Sequence, residues 1–209
     1  MTTDSTRRLT VPLEKLATLN ALGELGVEGV ASRLQQLDDY DGTVESELVK
    51  SGVVTEETLR TRFDDAVRAG VRVRLPGAPY GYALALFPPG SANNAAALML
   101  SDAVEDVAAA STEMARSALT ELGGYMINGF LDAWADTFGQ RIDVGAPSAV
   151  HDSEQAVVWR TVQSGEDLGL YITARLRVPS RGIVAQVYLL PENETFVGIL
   201  DRIDMGMLE

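Results

Sequence analysis

Hydrophobic residues recur at helical spacing over two long stretches of the chain. The first stretch begins at Leu13 and keeps leucine and valine on one broad side until the Asp- and Gly-rich break at residues 38–42. The second stretch runs from about Thr112 to Phe138 and places Leu119, Leu122 and Phe130 on one side. Both stretches are therefore predicted to be long amphipathic helices.

Alternating apolar and polar residues predict strands in two regions. Val71, Val73 and Leu75 alternate with arginines, and residues 170–178 give the longest alternation in the chain. A second apolar stretch follows each region after a short turn, at residues 80–87 and 183–190, which predicts two antiparallel hairpins. Residues 142–150 are expected to be extended. Shorter helices are predicted at residues 56–68, after Pro88-Pro89, after Ser153 and after Pro191.

The two halves of the chain follow the same plan, and one short sequence occurs twice. Residues 20–26 (NALGELG) and 117–123 (SALTELG) are identical at five of seven positions. The sequence therefore predicts an α+β fold made of two pseudo-twofold-related repeats, with long helices packed on a mostly antiparallel sheet. We expect residues 1–11 to be a flexible terminus, residues 12–110 the first repeat and residues 111–209 the second.

Composition excludes several classes of function. The chain has 209 residues, is 46% hydrophobic, has no cysteine and has one histidine, His151, which rules out thiolate and multi-histidine metal centres. A net charge of −13 disfavours nucleic acid and anionic lipid, and no apolar run is long enough to span a membrane. We expect a cytoplasmic protein. Only two of its 17 basic residues are lysine, which is typical of a high-salt source, although an ordinary acidic bacterial protein is the alternative.

A polar stripe lies opposite the apolar side of the second long helix. At about 100° per residue it contains Ser117, Glu121, Gly124, Asn128 and Asp132. A solvated helix face would give the same pattern. The stripe recurs on the first helix, however, as Asn20, Glu24, Val27 and Gln35. In addition, Gly123-Gly124 lies mid-helix, where each glycine costs about 1 kcal/mol relative to alanine. Those glycines would permit either close helix packing or the approach of another protein.

The residues of this stripe resemble the site of the CheC/CheX/FliY phosphatases of archaeal and bacterial chemotaxis. The resemblance to CheC extends over about residues 13–200, including both long helices, the strand-Pro-helix segment at residues 83–100 and its counterpart at residues 186–200. It implies a pseudo-twofold domain that removes phosphate from the phospho-aspartate of the response regulator CheY. Many relatives also bind the receptor deamidase CheD, so the resemblance implies CheD as a further partner.

The family's site pattern is Asp or Ser, three residues, Glu, two residues, Asn, then about 22 residues and Pro. In the second repeat Ser117, Glu121 and Pro147 match, but Gly124 stands at the Asn position. Asn128 follows one turn later and would be a substitute amide.

In the first repeat the match is weaker. Asn20 stands at the Asp/Ser position and Glu24 at the Glu position, whereas Val27 replaces the Asn and Lys50 stands where the Pro belongs.

The resemblance implies a role for each position. The family's Asn orients the attacking water, its Glu docks on a lysine of the regulator, and the regulator's own Mg²⁺ stabilises the phosphoryl charge, so the chain needs no cofactor. Gly and Val supply neither donor nor acceptor. We therefore expect an adaptor with weak or no phosphatase activity that engages phosphorylated CheY, CheD or a motor-coupling protein as a monomeric pseudo-dimer. An active CheY-phosphate phosphatase is the alternative, favoured by the retention of Glu24 and Glu121. His151 is expected to be structural.

Overall fold

A computed structural model describes residues 15–37, 42–101, 111–165 and 167–203. The predicted flexible terminus at residues 1–11 lies outside them. The helices and strands, in chain order, are α1 Lys15–Leu34, β1 Glu45–Val53, α2 Glu56–Arg62, β2 Val67–Leu75, β3 Gly81–Phe87, α3 Pro89–Leu100, α4 Thr112–Phe138, β4 Ser148–Ser153, α5 Glu154–Gln163, β5 Leu170–Val178, β6 Ile183–Leu190 and α6 Asn193–Leu200.

The strands form one six-stranded sheet in the order β1-β5-β6-β3-β2-β4, and every neighbouring pair is antiparallel. The predicted α+β class with an antiparallel sheet is confirmed. The order reads the same from either end if β1 and β4, β2 and β5, and β3 and β6 are exchanged. Two copies related by a twofold axis between β3 and β6 would produce this order. The division into two repeats near residue 110 stays a prediction.

Helices cover both faces of the sheet. The main core lies between the sheet and α1, α3, α4 and α6, and a smaller core lies under α2 and α5. Tyr171 and Thr173, on the polar side of the alternation in β5, are therefore buried as well. Among the described residues, no helix is long and apolar enough to cross a membrane.

Helix α2 is shorter than predicted, because it ends at Arg62 and not at residue 68. It begins as expected, since the Thr55 hydroxyl accepts a hydrogen bond from the Thr58 backbone N–H at 3.1 Å. Phe63 then adopts an extended conformation and packs edge-on against Tyr171, with ring centroids 5.2 Å apart. Burial of this aromatic ring turns the chain towards β2.

Candidate functional site

Helices α1 and α4 pack against each other in antiparallel directions. The Trp134 indole Nε1–H donates a hydrogen bond to the Leu22 carbonyl oxygen at 2.8 Å. Towards the other end, the Arg33 guanidinium carbon lies 5.5 Å from the centroid of the Tyr125 ring. Early residues of α1 thus lie beside late residues of α4, and the last turn of α1 lies beside the middle of α4.

The two helices cross at a pair of glycines. A β-carbon built on Gly29 would lie 2.1 Å from the Gly129 carbonyl oxygen, and one built on Gly129 would lie 2.6 Å from the Gly29 carbonyl oxygen. Only residues without a side chain permit this approach of the two backbones. The crossing therefore fixes the register of one helix on the other.

The polar stripe of α4 faces solvent. Ser117, Glu121 and Asp132 are exposed, and Gly124 and Asn128 are partly exposed. The opposite side of α4 is buried in the main core, as the periodicity predicted.

The adjacent glycines of α4 have different surroundings. A β-carbon on Gly123 would lie 2.5 Å from Cγ2 of Val71, so glycine lets the helix lie directly on β2. At Gly124 no atom lies within 4 Å of the position that a β-carbon would take. Gly123 thus serves helix packing, while Gly124 leaves open space one turn after Glu121.

The sheet brings Pro147 towards the same turn of α4. Val71, which lies under Gly123, pairs with Ala149 of β4, and Pro147 directly precedes that strand. A groove of about 490 Å³ separates the first half of α4 from β4, and the exposed His151 is part of its lining. We name Ser117, Glu121, Gly124 and Pro147 together the α4 site.

The residues predicted for the first copy do not form an equivalent surface. Asn20 and Glu24 are exposed on α1, but Val27 is only 6% exposed and belongs to the main core. Its predicted place on the exposed stripe is therefore wrong. Lys50, which the sequence pairs with Pro147, lies within β1.

Burial gives a different equivalence between the two long helices. The sequence repeat pairs Asn20 with Ser117, a shift of 97 residues, whereas a shift of 100 residues pairs buried positions with buried positions along both helices. These pairs are Leu19 and Leu119, Leu22 and Leu122, Val27 and Ile127, Val30 and Phe130, and Leu34 and Trp134.

The glycines support the shift of 100. Gly29 and Gly129 contact each other at the crossing. Gly23 and Gly123 both lie against a valine of the sheet. A β-carbon on Gly23 would lie 2.3 Å from Cγ1 of Val49, and one on Gly123 would contact Val71 in the same way. The spacing of these glycines is a signal in the sequence that the predicted repeat did not use.

In this register the first copy contains different site residues. Ala21 corresponds to Glu121, and Glu24 corresponds to Gly124. We name Ala21 and Glu24 together the α1 site. Glu24 is thus the counterpart of Gly124 in this register, whereas the sequence repeat pairs it with Glu121.

The structure also contains a buried carboxylate that the sequence did not single out. Glu154 is 2% exposed, accepts a hydrogen bond from the Tyr188 hydroxyl at 2.5 Å and lies 3.3 Å from Nη2 of Arg68. Burial, and secondly the charge of Glu154, hold the pKa of Tyr188 well above its usual value. This network lies under α5, on the other face of the sheet from the stripe. In sequence, Glu154 resembles any acidic residue after a helix cap.

No metal site is apparent in the part of the chain that the structure describes. It contains no group of three or more His, Cys, Asp or Glu side chains that could hold a metal ion. The α4 site presents the hydroxyl of Ser117, the carboxylate of Glu121 and open space at Gly124.

The chain is similar in sequence to a known protein over most of its length. No family model matches the chain. It is 30% identical over 194 residues to a protein of Halobacterium salinarum named as a candidate CheY-P phosphatase, CheC1, and the match covers 92% of this chain and 98% of that protein.

Solved structures share the fold. Thermotoga maritima FliY matches with a TM-score of 0.67 at 14% identity, over 92% of this chain and 96% of that one. A chain of the CheX-CheY-BeF3-Mg²⁺ complex from Borrelia burgdorferi matches with a TM-score of 0.50 at 16% identity, over 80% of this chain and 95% of that one.

Proposed function

This chain belongs to the CheC/CheX/FliY family of chemotaxis proteins, and we propose that it is an adaptor on the CheY signalling branch. It binds phosphorylated CheY at the α4 site and hydrolyses the acyl phosphate weakly or not at all. The observation that carries this proposal is the exposed Glu121 one turn before the open position at Gly124. The α4 site keeps the docking carboxylate and lacks the amide.

The chemistry of the reaction explains why the amide matters more than the other residues. Hydrolysis of an acyl phosphate needs a water molecule aligned opposite the leaving carboxylate, and errors near 1 Å cost about a hundredfold in rate. An Asn side chain both donates and accepts hydrogen bonds, whereas Gly124 offers no side-chain group. Docking through Glu121 would survive this loss, but catalysis would not.

The partners follow from the family and from the names of the relatives. The name of the Halobacterium relative refers to CheY-P, and the Borrelia complex contains CheY with BeF3 and Mg²⁺. In our proposal the regulator carries the magnesium ion, and CheD and a motor-coupling protein are further partners. The protein acts in the cytoplasm as a monomer whose two halves form a pseudo-dimer.

An active phosphatase is the second candidate, and Asn128 is the observation that favours it. This residue is partly exposed on the same stripe, about 6 Å further along the helix axis than Gly124. If its amide orients the water, Asn128→Ala abolishes phosphate release while leaving the binding of CheY intact. In the adaptor proposal this substitution changes little.

Binding tests the adaptor proposal directly. We expect CheY loaded with BeF3 and Mg²⁺ to bind this protein in a calorimetric titration in high salt. Glu121→Lys should weaken the complex by more than the 0.2–1 kcal/mol usual for exposed ion pairs, because the contact becomes partly desolvated. Glu57→Lys is the matched control, since Glu57 is also exposed but lies on α2.

Two results would contradict the proposal. If Glu121→Lys leaves the affinity for CheY and for CheD unchanged, Glu121 belongs to an ordinary solvated helix face. If the wild-type protein releases phosphate from CheY as fast as a relative with a complete Glu-x-x-Asn pattern, the protein is a phosphatase and not an adaptor.

A further inference from the structure

We infer that Glu24 closes the α1 site to a phosphorylated partner, so that each chain binds one phosphorylated regulator and binds it at the α4 site. The inference rests on the proposed function for the identity of the ligand. It starts from the register of α1 on α4, in which Ala21 and Glu24 are the counterparts of Glu121 and Gly124.

The two sites then differ in the two positions that would meet the regulator. At the α4 site a carboxylate stands at the docking position and open space at the amide position. At the α1 site this order is reversed, because Ala21 has no charge to offer a lysine and Glu24 presents an exposed carboxylate where the phosphoryl group would approach. Like charges brought close together disfavour the complex.

Other exposed carboxylates lie on α1 and on the last turns of α4. The hydrogen bond between Trp134 and Leu22 places the first half of α1 beside the last turns of α4. Asp132 and Asp136 are exposed on those turns, and Glu28 is exposed one turn after Glu24. Of these carboxylates, Asp132 has a cation near it, since Nη1 of Arg33 lies 3.8 Å from its Oδ2.

The first half of α4 has charges of both signs. Glu113 and Glu121 are exposed there, and Arg116 is exposed beside Ser117. The α4 site thus has a cation next to its serine, whereas the α1 site has a carboxylate at the amide position. The arginine favours the approach of an anionic, phosphorylated surface to the α4 site.

The number of CheY molecules bound per chain tests this inference, and this number does not depend on catalysis. CheY loaded with BeF3 and Mg²⁺ should bind wild-type protein with one regulator per chain in calorimetry or native mass spectrometry. The double substitution Ala21→Glu and Glu24→Asn places a Glu-x-x-Asn pair at the α1 site, and we expect this variant to bind two regulators. Glu28→Asn removes a neighbouring carboxylate on the same helix and is the matched control, which should still bind one.

Adding Glu121→Lys identifies the occupied site. In the wild-type background this substitution should weaken binding at least about tenfold, and in the Ala21→Glu, Glu24→Asn background it should leave one regulator bound per chain. Circular dichroism and the midpoint of urea unfolding establish that each variant is folded.

Three outcomes would overturn the inference. They are two regulators on the wild-type chain, a folded double variant that still binds only one, and a wild-type complex that resists Glu121→Lys while Glu24→Lys abolishes it. If the wild-type protein binds no regulator, the proposed function fails separately. Occupation of the α4 site then fails with it, and the closing role of Glu24 is tested by itself: it is supported if the double variant gains one regulator and overturned if it gains none.

Discussion

At the scale of single residues, the proposed function depends on a position that packing leaves unconstrained. Gly123 must stay small because Val71 lies against it, but the open space at Gly124 would accept any side chain. Loss of an amide from this position therefore breaks no packing contact. In the proposed function, the chain therefore keeps the fold and the carboxylate of Glu121 while its chemistry changes.

The first prediction is a gain of activity. Gly124→Asn restores the family pattern at the α4 site, and asparagine is a somewhat better helix former than glycine. We expect phosphate release from CheY to rise at least about tenfold, which corresponds to about 1.4 kcal/mol on the activation barrier. Release of inorganic phosphate from phosphorylated CheY measures this effect.

Two controls accompany this substitution. Gly124→Ala changes the helix in a similar way without adding an amide and should leave the rate unchanged. Val27→Asn adds an amide to α1 but buries it in the main core, so it should lower stability by about 1–3 kcal/mol without any gain in rate. If Gly124→Asn folds, binds CheY and leaves the phosphate lifetime unchanged, the α4 site lacks more than the amide and only the adaptor function stands.

At the scale of elements, the crossing of α1 and α4 determines the relation between the two sites. We predict that Gly29→Ala destabilises the protein by about 1–3 kcal/mol or more, because its β-carbon would lie 2.1 Å from a backbone oxygen that cannot move without its helix. Gly124→Ala is the same change in a helix interior with open space around it and should stabilise by up to about 1 kcal/mol. Urea unfolding of both variants measures the difference, and equal effects would show that the crossing is not tightly packed.

The network of Glu154, Tyr188 and Arg68 under α5 stabilises the smaller core. In Tyr188→Phe the buried Glu154 loses the hydroxyl that donates to it at 2.5 Å and keeps Arg68 at 3.3 Å. We expect a loss of about 1–3 kcal/mol at pH 7 in urea unfolding, since a buried carboxylate is left less well satisfied. Binding of CheY to the folded variant should not change, because the network lies on the opposite face of the sheet from the α4 site.

The same tyrosine gives stability a dependence on alkaline pH. The pKa of Tyr188 is raised in the folded protein, chiefly by burial, while an unfolded tyrosine titrates near pH 10. Its contribution is therefore complete below about pH 10 and is lost as the pH rises further, because the unfolded chain releases the proton first. Wild-type protein should lose more stability than Tyr188→Phe between pH 9 and pH 11. If the free energy of unfolding of the two proteins falls equally over this pH range, the prediction is wrong.

At the scale of the whole molecule, charge is the dominant feature. With 30 acidic and 17 basic residues, the surface repels itself at low ionic strength, and salt shortens the range of this repulsion to about 3 Å at 1 M. We predict that the free energy of unfolding at pH 7 rises with KCl from 0.1 M to about 2 M. Near pH 4.5, the sequence isoelectric point, the increase should be much smaller. If the free energy of unfolding rises equally with KCl at both pH values, salt acts through the hydrophobic core and not through charge repulsion.

The sequence by itself determined the elements whose signals are local. The 3.6-residue period gave α4 its limits at Thr112 and Phe138, and the two-residue period located β5 at Leu170–Val178. The polar stripe, its glycine pair and the CheC-like site pattern were likewise legible without coordinates, because each depends on residues within a few turns of one another.

Only the tertiary structure decided which residues of the two helices are equivalent. Shifts of 97 and 100 residues differ by three positions, which rotate a helix by about 300°, so both shifts leave the exposed side broadly exposed. Local sequence identity favoured 97, and the contact between Gly29 and Gly129 together with the burial of Val27 selects 100. The choice depends on how two helices distant in sequence lie on each other, and no local period carries that information.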